Sequence, residues 1–112
     1  MDWRIERQGN NVVGLPTGSV DHESSGLFFD HLSAAIDEVA EAGGDLVIDF
    51  TDVAFMSSVG LRALTRAQKI GKEKSVAISM ACLNETMTEI FQITRFDRLF
   101  KVHDSVDAAL SA

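Results

Sequence analysis

The sequence predicts an α/β domain built on a single layer of mixed, mostly parallel β-sheet. Along its 112 residues, short runs rich in β-branched residues alternate with longer stretches in which apolar residues recur every three or four positions. The first pattern is typical of buried strands, and the second is typical of helices that pack against a sheet. Strands separated by helices favour parallel pairing through right-handed crossovers. We therefore predict about five strands, an N-terminal hairpin and about four helices.

Length and composition limit the classes of protein to which the chain can belong. With 112 residues it can bury one core but not two, so we predict a single domain over residues 1–112. Its formal net charge of -7 argues against binding to nucleic acid, which requires clustered basic residues. The one cysteine, Cys82, excludes an internal disulfide and a cysteine-rich metal site, and its apolar neighbours predict a buried, unreactive thiol.

Two short strands around a turn predict the N-terminal hairpin. Residues 3–7 alternate between apolar and polar side chains, as a half-buried strand does. The inner face of this strand is expected to carry two apolar side chains, Trp3 and Ile5. A turn signal at residues 9–11 leads into a second strand at residues 12–15, which Pro16 and Gly18 are expected to end.

The first helix is predicted from its apolar stripe and its end signals. Glu23, Ser24 or Ser25 can cap its start, because their side-chain oxygens accept hydrogen bonds from the first N–H groups. The expected inner face consists of Phe28, Leu32, Ala35, Ile36 and Val39. Gly43 and Gly44 are expected to end this helix.

A third strand, a loop and a second helix follow. Residues 46–48 predict a buried strand that the polar residues 49–52 end, and we interpret the apolar residues 53–56 as a loop anchored in the core. The next helix is expected to start around Ser57 and Ser58, with Leu64, Ala67 and Ile70 facing inward. Its outer face is basic, with Arg62, Arg66 and Lys69. This face is either a solvated surface or a contact for an acidic partner or an added phosphate.

The second half of the chain repeats the strand and helix pattern. We expect a loop at residues 71–74, a strand at 76–83 and a helix capped by Asn84, or by a Thr86 and Glu89 capping box one register later. Its expected inner face is Met87, Ile90, Phe91 and Thr94. A fifth short strand is predicted among the apolar residues Phe96, Leu99, Phe100 and Val102. A last helical segment is expected to start at Asp104 or Ser105 and run to Ala112.

The two serines before the second helix have two interpretations. A serine at a helix start can cap the unpaired N–H groups of the first turn. The same N–H groups and the positive end of the helix dipole also favour a phosphate or carboxylate. Local chemistry alone favours a structural cap over a phosphorylation site.

The segment Val47–Leu61 resembles the signature of STAS domains, named for sulfate transporters and anti-sigma factor antagonists. In that family a strand ending in Asp and an apolar loop lead into Asp-Ser-Ser/Thr-Gly-Leu at a helix start. Ser58 lies two residues before Gly60, at the position of the family's phosphoacceptor serine. Ser57 replaces the usual Asp and Val59 the usual Ser or Thr, which makes Ser57 a second candidate. Residues 18–21 resemble the family's turn after its second strand, so the likeness extends over nearly the whole chain.

The resemblance implies a partner-switching function and not an enzyme. An anti-sigma factor antagonist of this type binds, when unmodified, an anti-sigma factor that is also a serine kinase, which frees a sigma factor. Phosphorylation of the serine ends the binding, and a serine phosphatase restores it. The implied partner surface comprises Asp21, Asp49, Phe55, Met56, Ser57, Ser58, Val59, Gly60, Arg62 and Arg66. The alternative is a STAS interaction subunit of a transport complex that has no phospho-switch.

Other functional signals are absent from the sequence. His22, His31 and His103 lack the spacing of metal ligands, and there is neither a Walker loop nor a dinucleotide-binding glycine motif. A serine hydrolase is disfavoured because Met56 replaces the first glycine of the Gly-x-Ser-x-Gly elbow. We expect no cofactor, no metal, no membrane insertion and a cytoplasmic location, and the sequence leaves the oligomeric state open.

Overall fold

The computed structural model describes residues 1–112 and shows one five-stranded sheet with five helices. The strands are β1 (Asp2–Gln8), β2 (Asn11–Thr17), β3 (Leu46–Asp49), β4 (Ile78–Ala81) and β5 (Lys101–His103). The helices are α1 (Ser25–Ala42), α2 (Ser58–Glu73), α3 (Glu85–Thr94), α4 (Phe96–Leu99) and α5 (Val106–Ser111).

The sheet has the strand order β1-β2-β3-β4-β5. β1 and β2 pair antiparallel as a hairpin, whereas all later neighbours pair in parallel. The predicted fold class is therefore confirmed, including the N-terminal hairpin and the parallel remainder of the sheet.

Strand β2 runs further than predicted, because it continues through Pro16 to Thr17. Pro16 pairs with Trp3 of β1, and a proline has no N–H to donate. Val12 and Gly18 lie an even number of residues from Pro16, so their N–H groups point in the same direction as its nitrogen. They donate on the β3 side, to the carbonyl oxygens of Asp45 and Asp52. Pro16 thus has its nitrogen turned away from β1, and the hairpin loses no hydrogen bond.

Side chains alternate across the sheet and divide the core into two parts. On one face, residues such as Val12 and Ile48 pack with α1, α2 and α3 in a cluster of 22 buried residues. On the other face, Val13 and Val47 belong to a cluster of 4 buried residues that includes Ala109 of α5. The larger core therefore lies between the sheet and the helices α1, α2 and α3.

Helix α2 is longer than predicted, since it includes the residues 71–73 that the sequence assigned to a loop. Gly71 is buried in its last turn, where a Cβ atom would lie 2.8 Å from the Val76 carbonyl oxygen. This glycine allows the helix to pass close to the following segment and does not end it. Strand β4 is correspondingly short, and Cys82, with φ of 64°, follows it as a partly exposed residue.

The region after β4 confirms some predictions and corrects others. Asn84 caps α3, so the alternative capping box one register later is wrong. Thr94 is exposed and not inward-facing. Residues 96–99 form the short helix α4 where the sequence suggested the start of a strand, because Arg95 has φ of 62° and the chain turns into a new helix. The predicted cap of the last helix is confirmed at Ser105.

Candidate functional site

Two loops meet at the carboxyl ends of β2 and β3. The loop after β2 and the loop after β3 exchange backbone hydrogen bonds, from Val20 N–H to the Phe55 carbonyl at 3.0 Å and from Ser57 N–H to the Val20 carbonyl at 2.8 Å. Val20 and Met56 form an isolated parallel bridge. The start of α2 is therefore fixed to the loop after β2.

Met56 anchors the loop before α2 in the core, as predicted. Its side chain is 1% exposed and is therefore not accessible to a partner, contrary to the partner-surface role that the resemblance implied, and Val20 is fully buried beside it. Gly60, in the first turn of α2, lies directly above both: a Cβ atom there would be 2.4 Å from Met56 Cγ and 2.9 Å from Val20 Cγ1. Close approach of the helix to the loop therefore requires glycine at this position.

Ser58 and Ser57 differ in accessibility. Ser58 is the first residue of α2 and is exposed. Ser57 occupies the N-cap position but makes no capping hydrogen bond, and its Oγ is enclosed without a partner. The predicted serine cap of α2 is therefore not formed.

The first turn of α2 keeps its positive partial charge. The N–H groups of Ser58, Val59 and Gly60 donate no hydrogen bond within the protein, and the turn contains no acidic residue. Unpaired N–H groups at a helix start attract negative charge. This end of α2 can accordingly accept an anionic group without displacing an existing partner.

Asp21 lies in the loop after β2 and organises the start of α1. Its Oδ1 accepts hydrogen bonds from the N–H groups of Glu23 and Ser24, at 3.0 and 3.1 Å, and from the Ser24 hydroxyl at 3.1 Å. The backbone and hydroxyl of Ser24 hold the pKa of Asp21 below its ordinary value. Ser24 occupies the N-cap position of α1 without capping it, because its hydroxyl bonds to Asp21.

Asp49 and Phe55 lie on either side of the polar turn after β3. Asp49 ends β3, and its carboxylate accepts hydrogen bonds from the N–H and hydroxyl of Thr51. Phe55 is 46% exposed, which leaves an aromatic side chain in solvent three residues before Ser58. The Asp49 carboxylate is thus hydrogen-bonded within its own turn, while the Phe55 side chain is available for contact with a partner.

A groove of about 440 Å³ runs between the first halves of α1 and α2. Its lining includes Ser25, Phe29 and Asp30 from α1 and Val59, Arg62 and Arg66 from α2. The guanidinium of Arg66 lies 3.9 Å from the centroid of the Phe29 ring, a cation–π contact. The sequence identified the arginines but not their α1 neighbours, because only the packing of α1 against α2 brings these residues together.

The structure contains no group of three or more His, Cys, Asp or Glu side chains arranged to hold a metal ion. None of its helices has the length and apolar character needed to cross a membrane.

A match to a family model classifies the chain. A sequence model of the STAS domain matches residues 2–109. The chain belongs to the STAS domain family. Ser58 and Gly60 therefore lie in the first turn of α2 of a STAS domain.

Solved structures agree with this assignment of fold. An anti-sigma factor antagonist from Mycobacterium paratuberculosis has a TM-score of 0.85 and 21% identity, covering 98% of this chain and 91% of that chain. The Bacillus protein SpoIIAA in its phosphorylated form has a TM-score of 0.71 and 18% identity, covering 98% of this chain and 97% of that chain. A sulfate transporter family protein from Wolinella succinogenes has a TM-score of 0.76 and 15% identity, covering 91% and 83%.

Proposed function

We propose that this STAS domain is an anti-sigma factor antagonist that changes partners when Ser58 is phosphorylated. Unmodified, it binds an anti-sigma factor that is also a serine kinase; phosphorylation releases that partner, and a serine phosphatase reverses the modification. The protein acts in the cytoplasm and is not itself an enzyme. The observation that carries this proposal is an exposed serine hydroxyl at a helix start whose N–H groups have no partner.

The start of α2 suits a phosphate. A phosphoserine at this position adds about -1.5 to -2 charges at pH 7 and three acceptor oxygens. The N–H groups of Ser58, Val59 and Gly60 and the positive end of the helix dipole can stabilise that charge. No acidic residue in the first turn of α2 opposes it. Phosphorylation is thus expected to leave the fold intact.

The same phosphate disfavours a bound partner. Phe55 is exposed and Val59 partly exposed on either side of Ser58, so a partner covering them would have to desolvate the phosphate. A loss of only ~2 to 3 kcal/mol of binding free energy lowers affinity roughly 30- to 200-fold. The switch therefore requires no large conformational change.

Ser58 is preferred over Ser57 as the phosphoacceptor. A kinase must reach the hydroxyl oxygen, and the Oγ of Ser57 is enclosed whereas Ser58 is exposed. The N–H group of Ser57 donates to the Val20 carbonyl, which holds this residue in place beside Ser58.

Binding to the serine-kinase anti-sigma factor from the same organism tests the proposal. The unmodified protein and Ser58→Ala are expected to bind alike, whereas Ser58→Asp and the phosphorylated protein bind roughly 30-fold or more weakly. Ser57→Ala is the matched control, and it should retain both binding and phosphorylation. Full affinity of the phosphorylated protein would contradict the proposal.

A second candidate function is a docking subunit of a transport complex without a phospho-switch. It is favoured by the structural likeness to a sulfate transporter family protein and by Ser57 in the place of the family's usual Asp. This candidate predicts a stable complex with a membrane transport component that ATP-dependent phosphorylation does not change. Co-purification from membranes, with and without ATP and kinase, separates the two candidates.

A further inference from the structure

The groove between α1 and α2 has a local charge opposite to that of the whole protein. Its charged lining residues are Arg62, Arg66 and Asp30, in a chain whose formal net charge is -7. Asp30 forms an ion pair with neither arginine, because the two salt bridges of the structure join other residues. The groove is therefore a basic site whose charge is not already neutralised by the protein.

The two arginines of the groove differ in their availability. Arg66 stacks over Phe29, which holds its guanidinium on the α1 side. Arg62 is exposed and makes neither an ion pair nor a cation–π contact. A guanidinium presents donors in a planar fork that matches a carboxylate or a phosphate. Arg62 is thus the arginine with its donors available to a ligand.

Arg62 is also the nearest basic residue to Ser58 along the helix. Residues four apart on a helix are neighbours on the same face, so a group on Ser58 lies within reach of Arg62. Both side chains are exposed, and Val59, the residue after Ser58, lines the groove together with Arg62. One guanidinium is therefore available to two acidic groups: one brought by a partner, and one formed on Ser58.

We propose that Arg62 binds a carboxylate of the partner in this groove, and that a phosphate on Ser58 takes the same guanidinium away from it. The inference rests on the proposed function and adds the chemistry of the partner, an acidic segment of the anti-sigma factor that lies between α1 and α2. Release upon phosphorylation then has two causes. The partner meets a new negative charge, and it loses the arginine that paired with its carboxylate.

Titration calorimetry of the unmodified protein against the serine-kinase anti-sigma factor, with ADP to prevent turnover, tests the first half. Arg62→Gln is expected to weaken binding by about tenfold or more, and Arg62→Lys to weaken it less, because lysine keeps the charge but not the fork. The control is Lys69→Gln, which removes an exposed charge two turns along the same helix and should change the affinity less than about threefold.

Phosphoserine introduced at position 58 during translation tests the second half without any partner. In a ³¹P NMR titration, Arg62→Gln is expected to raise the second pKa of the phosphate, because the paired guanidinium favours its dianion. Lys69→Gln should leave the titration unchanged. In binding, phosphorylation should reduce affinity by a smaller factor in Arg62→Gln than in the parent protein, since the arginine is already gone.

The outcomes separate this inference from the proposed function. An unmodified protein that does not bind the kinase overturns both. Binding that phosphorylation abolishes but Arg62→Gln leaves unchanged overturns only the role of Arg62. Equal weakening by Arg62→Gln and Lys69→Gln would show general charge attraction and not recognition in the groove. A phosphate titration that is insensitive to Arg62→Gln would contradict the exchange of partners at the guanidinium.

Discussion

Helices α2 and α3 both follow strands of the parallel sheet, yet only α3 has a side-chain cap on its first turn. At α3, the Asn84 side chain accepts a hydrogen bond from Met87 N–H at 2.7 Å, and Glu85 places a negative charge in the first turn. At α2, Ser57 caps nothing and the first turn has no acidic residue. A satisfied helix start contributes stability, whereas an unsatisfied one is available for a charge that arrives later.

The capped start of α3 also supports the uncapped start of α2. The Asn84 side-chain amide donates to the Val53 carbonyl at 3.0 Å, so the cap of α3 holds the loop that leads into α2. Met56 and Gly60 complete this support from the core side. The start of α2 is therefore rigidly positioned while its N–H groups stay unpaired. This combination suits a site where added charge should change binding and not the fold.

The largest expected effect comes from placing a side chain at Gly60, where α2 packs directly against Met56. Gly60→Ala places a methyl group 2.4 Å from Met56 Cγ and 2.9 Å from Val20 Cγ1, and both neighbours are fully packed. We expect a loss of about 3 kcal/mol in the free energy of unfolding, measured by urea denaturation. Gly26→Ala is the control, because nothing lies within 4 Å of a Cβ atom there. Equal stability of Gly60→Ala and the parent protein would refute this packing.

The two helix starts can be compared directly by alanine substitution. Asn84→Ala removes the cap of α3 and the bond to Val53, with an expected cost of about 2 kcal/mol. Ser57→Ala removes a hydroxyl that has no partner, so we expect a change below about 0.5 kcal/mol. A cost for Ser57→Ala similar to that for Asn84→Ala would mean that Ser57 caps α2 in solution.

A negative charge at the open start of α2 should stabilise the protein slightly. Ser58→Asp is expected to raise the free energy of unfolding by about 0.3 to 1 kcal/mol at low ionic strength through the helix dipole. The gain should shrink as salt is added. Ser58→Asn, a neutral residue of similar shape, is the control. A destabilised Ser58→Asp would show that this helix start does not favour negative charge.

Asp21 provides the smallest and most local effect. Its pKa is lowered by the hydrogen bonds from Ser24 and Glu23. A carboxyl group whose pKa is lowered on folding contributes stability above its unfolded pKa and loses it as pH falls through the folded value. Carboxyl-detected NMR should therefore place its titration below the ordinary 3.8, and Ser24→Ala should move it upward. Titration at or above 3.8 in the parent protein would contradict the hydrogen bonds described.

Much of the fold could be predicted because apolar periodicity reports directly on burial. The stripe that includes Phe28 and Val39 marks the buried face of α1, and the alternation of Trp3 and Ile5 marks the inner face of β1. The length of α2 could not be predicted. Gly71 is a helix-ending signal in sequence, but in the structure it is a point of close approach to Val76.

The site was only partly predictable for a related reason. The positions of Ser57 and Ser58 follow from local sequence and family resemblance, but the sequence does not show which hydroxyl is enclosed. The groove depends on packing between α1 and α2, so Phe29 and Asp30 carry no signal of their own. Side-chain direction and contacts between distant helices are properties of the tertiary structure.

The most direct test of the central claim is intact-mass analysis of the protein isolated from its own cells, followed by fragmentation to locate any phosphate. We predict a single phosphate, on Ser58, present under some growth conditions and absent under others. Phosphate on Ser57 would contradict the argument from accessibility. No phosphate under any growth condition would contradict the switch and favour a constitutive docking subunit.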